Sequence, residues 1–383
     1  MINETVILDS CRTPMGKYNG ILSSYSSSQL GKILVEQMLE RNPKSKGAID
    51  QLIFGSVITA GQGQNIARQI SVHAGIPVEV PAMTINEVCG SGMKSAILAS
   101  QAIQLGESQV ALVGGVEMMS NTPLVSADKE GNELNAMARD GLMDAFSDQL
   151  MGNTVEVLAN EYNISREEMD QFSLRSHQKA VAAIAADKFA DEIIKVDDIG
   201  DVDQCPRPDT SFEKLASLRT VYQAEGKLTA GNSSPVSDGA SALLLASGQF
   251  AKENELDVLA IIKATSEVGV EPARMGISPI NAIQKVLKKA EMTLDQIDLF
   301  EINEAFAASS LIIERELNIP SEKVNIYGGA IALGHPLGST GARLVGTLSR
   351  ELIQENKHFG IASLCIGGGL GLAVLIENPH FTM

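Results

Sequence analysis

Residues 83–92 read MTINEVCGSG. An apolar, β-prone run ends at Asn86-Glu87, Cys89 follows, and Gly90, Ser91 and Gly92 come directly after it. Residues 93–105 are rich in Ala and Leu and carry the spacing of an amphipathic helix. A cysteine delivered by a strand to a glycine-rich turn at a helix start lies where backbone N–H groups and the helix dipole favour a thiolate. Glycine on both sides of Ser91 lets a substrate approach the backbone closely. A small buried thiol at a tight strand–helix junction has the same local spelling. What separates the two readings lies about 250 residues further on.

Upstream, residues 5–10 (TVILDS) spell a strand, followed by the turn Arg12-Thr13-Pro14. Residues 26–40 spell a helix capped by Ser26, with Leu30, Ile33, Leu34 and Met38 as its apolar stripe and Pro43 beyond it. Residues 50–58 read as a buried strand. The next stretch, GQGQNIARQ (61–69), is half of a dinucleotide fingerprint, but Ile66 occupies the third glycine position. That rejects a nucleotide-binding βαβ unit and leaves a turn and helix cap, with Arg68 expected in an interface or salt bridge.

Downstream, residues 109–114 (QVALVG) read as a fully buried strand running into GGVEMMSNTP. Residues 121–246 lose the regular alternation; they carry acidic loops, one clear helix at 166–186 and the Pro-rich Cys205-Pro206-Arg207-Pro208. Alternation returns at 258 and repeats the order of the first half. Residues 257–265 answer 5–10, helix 277–290 answers 26–40, IDLFEIN (297–303) answers 49–56, and the turn and helix from Gly334 answer those at Cys89. The expected organisation is an α/β half at 1–119, a loop domain at 120–246 and a second α/β half at 247–383, stacked as a layered α/β fold. Sites at the C-terminal ends of strands would converge near the join.

Composition narrows the function. The chain has 383 residues, 44% hydrophobic and 20% charged, with 34 glycines and no Trp, which suits a helix-and-sheet enzyme with many tight turns. A net charge of −17 argues against nucleic acid and anionic membranes as partners. No apolar run approaches 18 residues and no basic-then-apolar leader pattern opens the chain, so a soluble, cytoplasmic protein is expected. The four cysteines (11, 89, 205 and 365) show no CxxC spacing and the five histidines no HExxH pattern; no catalytic metal is expected.

Four stretches of the second half complete the Cys89 turn: NEAF (303–306), GGAIALGHPLG (328–338), STGAR (339–343) and CIGGGLG (365–371). Singly each is ordinary. His335 before a proline could close a turn, Asn303 could cap a helix, Cys365 could be core, and Gly367 to Gly369 could be a bulge. Together, two Cys, one His and one Asn on glycine-rich turns after strands compose a nucleophile–base–oxyanion set.

These motifs, with CGSGMKS around Cys89, GGVEMMSNTP, DGLMDAF (140–146) and LTAGNSSPVSDGA (228–240), resemble those of the thiolase family over essentially the whole chain. The resemblance implies a duplicated α/β/α/β/α layered fold with an inserted loop domain for coenzyme A and oligomer contacts. It implies Cys89 as nucleophile toward an acyl-CoA thioester, His335 as its base, and Cys365 as the second acid/base. Asn303 (through a water) and His335 would hold the thioester oxygen, and the N–H groups of Cys89 and Gly367 the tetrahedral oxyanion. Arg219, Ser234, Met275 and Phe306 would lie along CoA and the acyl group. CoA would be substrate and product, with no permanently bound cofactor, in a dimer or tetramer.

The implied reaction is the reversible condensation of two acetyl-CoA to acetoacetyl-CoA and CoA. The alternative is thiolysis of longer 3-ketoacyl-CoA in fatty-acid degradation, favoured by Leu150-Met151-Gly152 where many acetoacetyl-CoA thiolases carry His-Met-Gly. A decarboxylating ketosynthase would want a second catalytic His at the Asn303 position. A non-enzymatic acyl-CoA-binding protein would have lost catalytic residues that are all present here. Thr220, where the family often has Pro, reads as a loop detail.

Overall fold

The computed structural model describes residues 3–126 and 131–382. The first half opens with β1 (Thr5–Arg12), longer at its C-terminal end than its apolar run suggested. Helix α1 (Ser27–Arg41) starts from Ser26, whose hydroxyl accepts from Gln29 N–H while the Gln29 side chain accepts from Ser26 N–H. The expected strand at 50–58 contracts to β2 (Gln51–Gly55). Helix α2 (Ile66–His73) is capped by Asn65 in a left-handed conformation, and Arg68 has no salt-bridge partner among the described residues. Its guanidinium donates to the carbonyls of Val78 and Val80 at 2.8 Å, pinning the approach to β3 (Ala82–Ile85). Helix α3 (Ser91–Leu105) ends at Gly106 in the left-handed region, and β4 (Val110–Met118) is buried at every residue.

Between β4 and the next strand of the sheet lies the loop segment. It holds the expected helix, here α5 (Arg166–Ala185), and one that the sequence did not announce, α4 (Gly152–Glu161). The strand β5 (Ser237–Ser247) lies within the stretch read as loop domain, yet it is buried throughout and pairs with both β1 and β4. The excursion from the sheet therefore closes before Ser237. The second half follows with β6 (Ala260–Gly269), α6 (Ser278–Ala290), β7 (Leu299–Ile302), α7 (Ala307–Leu317), α8 (Leu337–Gln354), β8 (Phe359–Ile366) and β9 (Leu370–Glu377).

The sheet runs β7-β8-β9-β6-β1-β5-β4-β2-β3. From the central antiparallel pair β1–β6 outward, both halves repeat one pattern: antiparallel, antiparallel, parallel. So β8 corresponds to β4, and β9 to β5, while the loop segment separates only the first of these pairs. Three apolar clusters set the layers. One joins α1 and α2 to one half of the sheet, one joins α6 and α7 to the other, and the third holds α3 and α8 in the middle. This is the duplicated five-layer α/β arrangement that the resemblance implied, built on the repeat that the strand and helix order predicted.

The middle layer is unusually close. A side chain at Gly92 would lie 2.8 Å from the Gly338 carbonyl oxygen, and one at Gly341 would overlap the backbone of Met93. A Cβ at Gly115 of β4 would overlap that same Gly338 carbonyl. Gly115→Ala is therefore expected to destabilise the fold by about 3 kcal/mol or more, because both partners are backbone and neither yields cheaply. Gly47→Ala meets open space and should change stability by less than about 0.5 kcal/mol. Thermal unfolding of the two variants beside the wild type checks the contrast.

Candidate active site

The Cys89 turn is held under strain. Val88 has φ +47°, a left-handed conformation that a β-branched residue adopts only when its surroundings impose it. Such strain costs on the order of 1–3 kcal/mol. Side chains on both sides of the turn supply the restraint. Val88 N–H donates to Asn86 Oδ1 at 2.9 Å, Ser91 Oγ donates to the Val88 carbonyl at 2.7 Å, and Glu87 N–H donates to Ser91 Oγ at 2.8 Å. The result lifts Cys89 out of the strand-to-helix path as helix α3 begins. Gly90 packs against Ile366 at the end of β8, bringing Cys365 alongside.

Burial pushes the Cys89 thiol up to about 12, while the N–H groups of Gly367 and of Cys89 itself pull it down. Those two N–H groups are the donors expected for an oxyanion, and both act on the sulfur position. Cys365, at the end of β8, is also pushed up to about 12, first by burial and then by the charge of Cys89. The two thiols therefore share one buried site. Gly367 begins the β8–β9 turn, in which Gly368 and Gly369 take φ near +87° and +86°. The glycine run is a turn between paired strands, not a bulge.

His335 enters from the second half. Its N–H donates to Ser237 Oγ at 2.7 Å, and its Nδ1 lies 2.7 Å from Thr340 Oγ1. The Thr340 hydroxyl donates its only proton to the Pro336 carbonyl at 2.9 Å. It must therefore accept from Nδ1–H, which puts the lone pair on Nε2. Asn303 Nδ2 donates to that Nε2 at 3.3 Å, and Asn303 Oδ1 is buried without a hydrogen-bond partner among the described residues. Asn303 caps no helix, since α7 starts after Phe306. Burial and the nearby Arg343 lower the His335 pKa to about 3, so the ring is neutral across the physiological range. Thr340 and Ser237 are the residues that sequence reasoning missed here; Thr340 stood in plain view within STGAR.

A cleft opens beside the His335 loop. It holds about 180 Å3 of free space and is lined by Lys17, Arg207 and Lys214, by the buried His177, and by Gly231, Pro235 and Ile331. Arg219, the expected CoA cation, is exposed and does not line this cleft; Arg207 and Lys214 do. The two were legible only as the Arg of the Pro-rich segment and the Lys of the short Phe212–Ala216 helix. Ser234 is next to Pro235, and its N–H donates to the Ala305 carbonyl at 3.0 Å. Met275 and Phe306 are buried with Cys365 and Ile331 in one apolar cluster. Leu150 is 37% exposed, and its neighbour Met151 packs its sulfur on Gly367 instead. Among the described residues, no group of His, Cys, Asp and Glu gathers as a metal ligand set, and no helix is long and apolar enough to cross a membrane.

Comparison with known proteins agrees with this geometry. Residues 5–249 match the thiolase N-terminal domain and residues 256–378 the thiolase C-terminal domain. The acetyl-CoA acetyltransferase of Pseudomonas aeruginosa is 44% identical, over 98% of this chain and all of the relative. A probable acetyl-CoA acyltransferase of Staphylococcus epidermidis is 41% identical over 98% of this chain and 99% of its own length. Among solved structures, Bacillus anthracis acetyl-CoA acetyltransferase superposes with a TM-score of 0.94 at 39% identity, covering 98% of this chain and 99% of that one. Human mitochondrial 3-ketoacyl-CoA thiolase superposes at 0.93 with 37% identity and the same coverage. With both domains matched end to end, the two thiols and the imidazole sit on a frame that is not borrowed in part: the chain belongs to the thiolase family.

Proposed function

We propose that this protein is an acetyl-CoA C-acetyltransferase that joins two acetyl-CoA molecules into acetoacetyl-CoA and CoA, through an acetyl group carried on Cys89. One observation carries the reading: Thr340 keeps the proton of the buried His335 on Nδ1, so that Nε2 is the basic nitrogen, while the buried thiols of Cys89 and Cys365 lie within reach of one another's charge. Cys89 Sγ attacks the thioester carbonyl as its proton passes to His335 Nε2. The N–H groups of Cys89 and Gly367 hold the oxyanion, the bond from carbon to the CoA sulfur breaks, and His335 returns the proton to the departing thiolate. Because the thiol rests high and the imidazole low, this proton moves in the reaction itself, not in a standing ion pair.

In the second step Cys365, as thiolate, takes the α-proton of another acetyl-CoA, whose oxygen is held by His335 and by a water on Asn303. The enolate carbon attacks the acetyl carbon, the bond to Cys89 breaks, and the Cys89 thiolate recovers the proton from Cys365. Lys17, Arg207 and Lys214 would bind the CoA phosphates in the cleft, supplying locally the positive charge that an acidic surface lacks. The four free thiols suit a reducing cytoplasm. Residues 140–146 lie with Val88 and Gly367 around an open groove, and Phe146 is 72% exposed, which supports a dimer or a tetramer of dimers formed through this segment.

The degradative reading, thiolysis of longer 3-ketoacyl-CoA, is favoured by Leu150, which offers no imidazole at the acyl end. Incubation with acetyl-CoA should leave the wild type one acetyl group heavier and Cys89→Ala unmodified; an unmodified wild type sinks the enzyme reading. Acylation should stay level from about pH 8 down to about pH 5, because a base lowered to about 3 remains neutral there. A break near the ordinary histidine value of about 6.5 would refute that assignment. Thiolysis of acetoacetyl-CoA compared with that of a ten-carbon 3-ketoacyl-CoA separates the two substrate readings. Reaction of the four-carbon substrate alone supports acetoacetyl-CoA synthesis, and equal or faster reaction of the longer one moves the enzyme to fatty-acid degradation.

A further inference from the structure

Glu117 ends β4 and is fully buried, yet neither substrate chemistry nor the resemblance gives it a task. Its Oε2 accepts from Val57 N–H at 3.0 Å and from Gly338 N–H at 2.9 Å, and its Oε1 accepts from Ile58 N–H at 3.1 Å. Among the described residues three donors and no acceptor meet this carboxylate, which favours its ionised form, while burial and Asp238 push its pKa up to about 7. Val57 and Ile58 belong to the first half; Gly338 belongs to the second.

Each contact leads to one side of the candidate site. On the first side, the Val57 carbonyl accepts from Asn86 Nδ2 at 3.3 Å, and Asn86 Oδ1 accepts from Val88 N–H at 2.9 Å. Val88 is the strained residue that sets the direction of Cys89. On the other side, Gly338 lies in the first turn of α8. There the Pro336 carbonyl accepts from the N–H groups of Ser339 and Thr340 and from the Thr340 hydroxyl that orients His335. One buried carboxylate is thus hydrogen-bonded, through short chains, to the supports of both thiol and imidazole. The titratable groups acting on it from neighbouring elements are Asp238 on β5 and the Cys89 thiol.

We propose that Glu117 is a positioning residue: bridging Val57, Ile58 and Gly338, it fixes the approach of Cys89 to His335 and sets the electrostatic environment of the Cys89 thiol. The proposal rests on the reading of Cys89 as nucleophile. Glu117→Gln is nearly isosteric, but it turns an N–H2 toward a backbone N–H and removes a negative charge near the thiol. It should lower kcat by about a hundredfold, the scale of a 1 Å misplacement, with the KM for acetyl-CoA changed less than about threefold. The pH midpoint for alkylation of Cys89 by iodoacetamide should move down, since the charge that opposes the thiolate is gone.

Asn86→Ala cuts only the arm toward Val88, and it supplies a second readout where Glu117→Gln folds poorly. It should lower kcat without moving the alkylation midpoint downward. In the double variant the two losses should combine to less than their product, as expected of residues on one chain of contacts. Wild-type kcat in a folded Glu117→Gln, or a loss with an unmoved alkylation midpoint and multiplicative double-variant effects, overturns the proposal. Failure of the wild type to take up an acetyl group would instead overturn the nucleophile reading beneath it.

Discussion

Helix α8 crosses helix α3 backbone to backbone, with Gly92, Gly338 and Gly341 at the contact and Gly115 of β4 pressed beneath it. Side chains normally hold helices 8–10 Å apart. Here their absence lets the starts of two helices, one after a strand and one after a short helix at Ala330–Leu333, reach the same place. Cys89 leads into one helix and His335 precedes the other. The close crossing is therefore what turns two distant stretches of sequence into one site. It also explains why α8 is buried around nearly its whole circumference, small residues taking the positions that face the other backbone.

Such a crossing leaves polar backbone at the start of α8 in a dry interior, where unpaired N–H groups are costly. Glu117 answers Gly338 from the first half, and Pro336 with Thr340 answers the rest of the turn. Further along α8, Arg343 pairs with the buried Glu301 at 2.5 Å. Arg12 of β1 pairs with Glu192 and Asp203 of the loop segment, and Thr347 of α8 donates to the same Glu192 at 3.0 Å. Breaking one member of such a buried pair strands the other charge, so these contacts resist sliding of one layer over another. A site whose thiol, imidazole and oxyanion donors come from different halves depends on that resistance.

Much of this was legible in the sequence because the duplication repeats its period in strands and helices alike. Ser26 with the stripe of Leu30, Ile33, Leu34 and Met38 announced α1, and the apolar runs located β1, β4 and β7. Cys89, Asn303, His335 and Cys365 could be named because each lies in a glycine-rich motif or directly after an apolar run, although Cys365 proves to lie within β8 and a short helix, Ala330–Leu333, precedes His335. Three kinds of information stayed out of reach. Strand β5 was hidden because VSDGASALLLAS follows a long excursion with no regular alternation before it. The cations of the cleft stayed unnamed because Arg219 and Arg207 are equally plausible as letters, and only the path of the chain puts Arg207 on the cleft. Glu117, Thr340 and the φ of Val88 act through backbone partners, whose positions no side-chain pattern spells.

The two halves match in strand order and direction, but their turns do different chemistry. The difference begins where the repeat is broken. Between β8 and β9 the chain makes a tight turn at Gly367 to Gly369; between the corresponding β4 and β5 it leaves the sheet for more than a hundred residues. The tight turn brings Gly367 N–H to the thiol. The long excursion returns at Ser237, whose hydroxyl accepts from His335 N–H, and its Arg207, Lys214 and Pro235 wall the cleft beside that loop. Symmetry thus supplies the frame on which two helix starts meet, and departure from symmetry supplies the donors and the approach for a ligand. A chain with two identical connections would have the crossing but neither the Gly367 N–H beside the thiol on one side nor the cleft on the other.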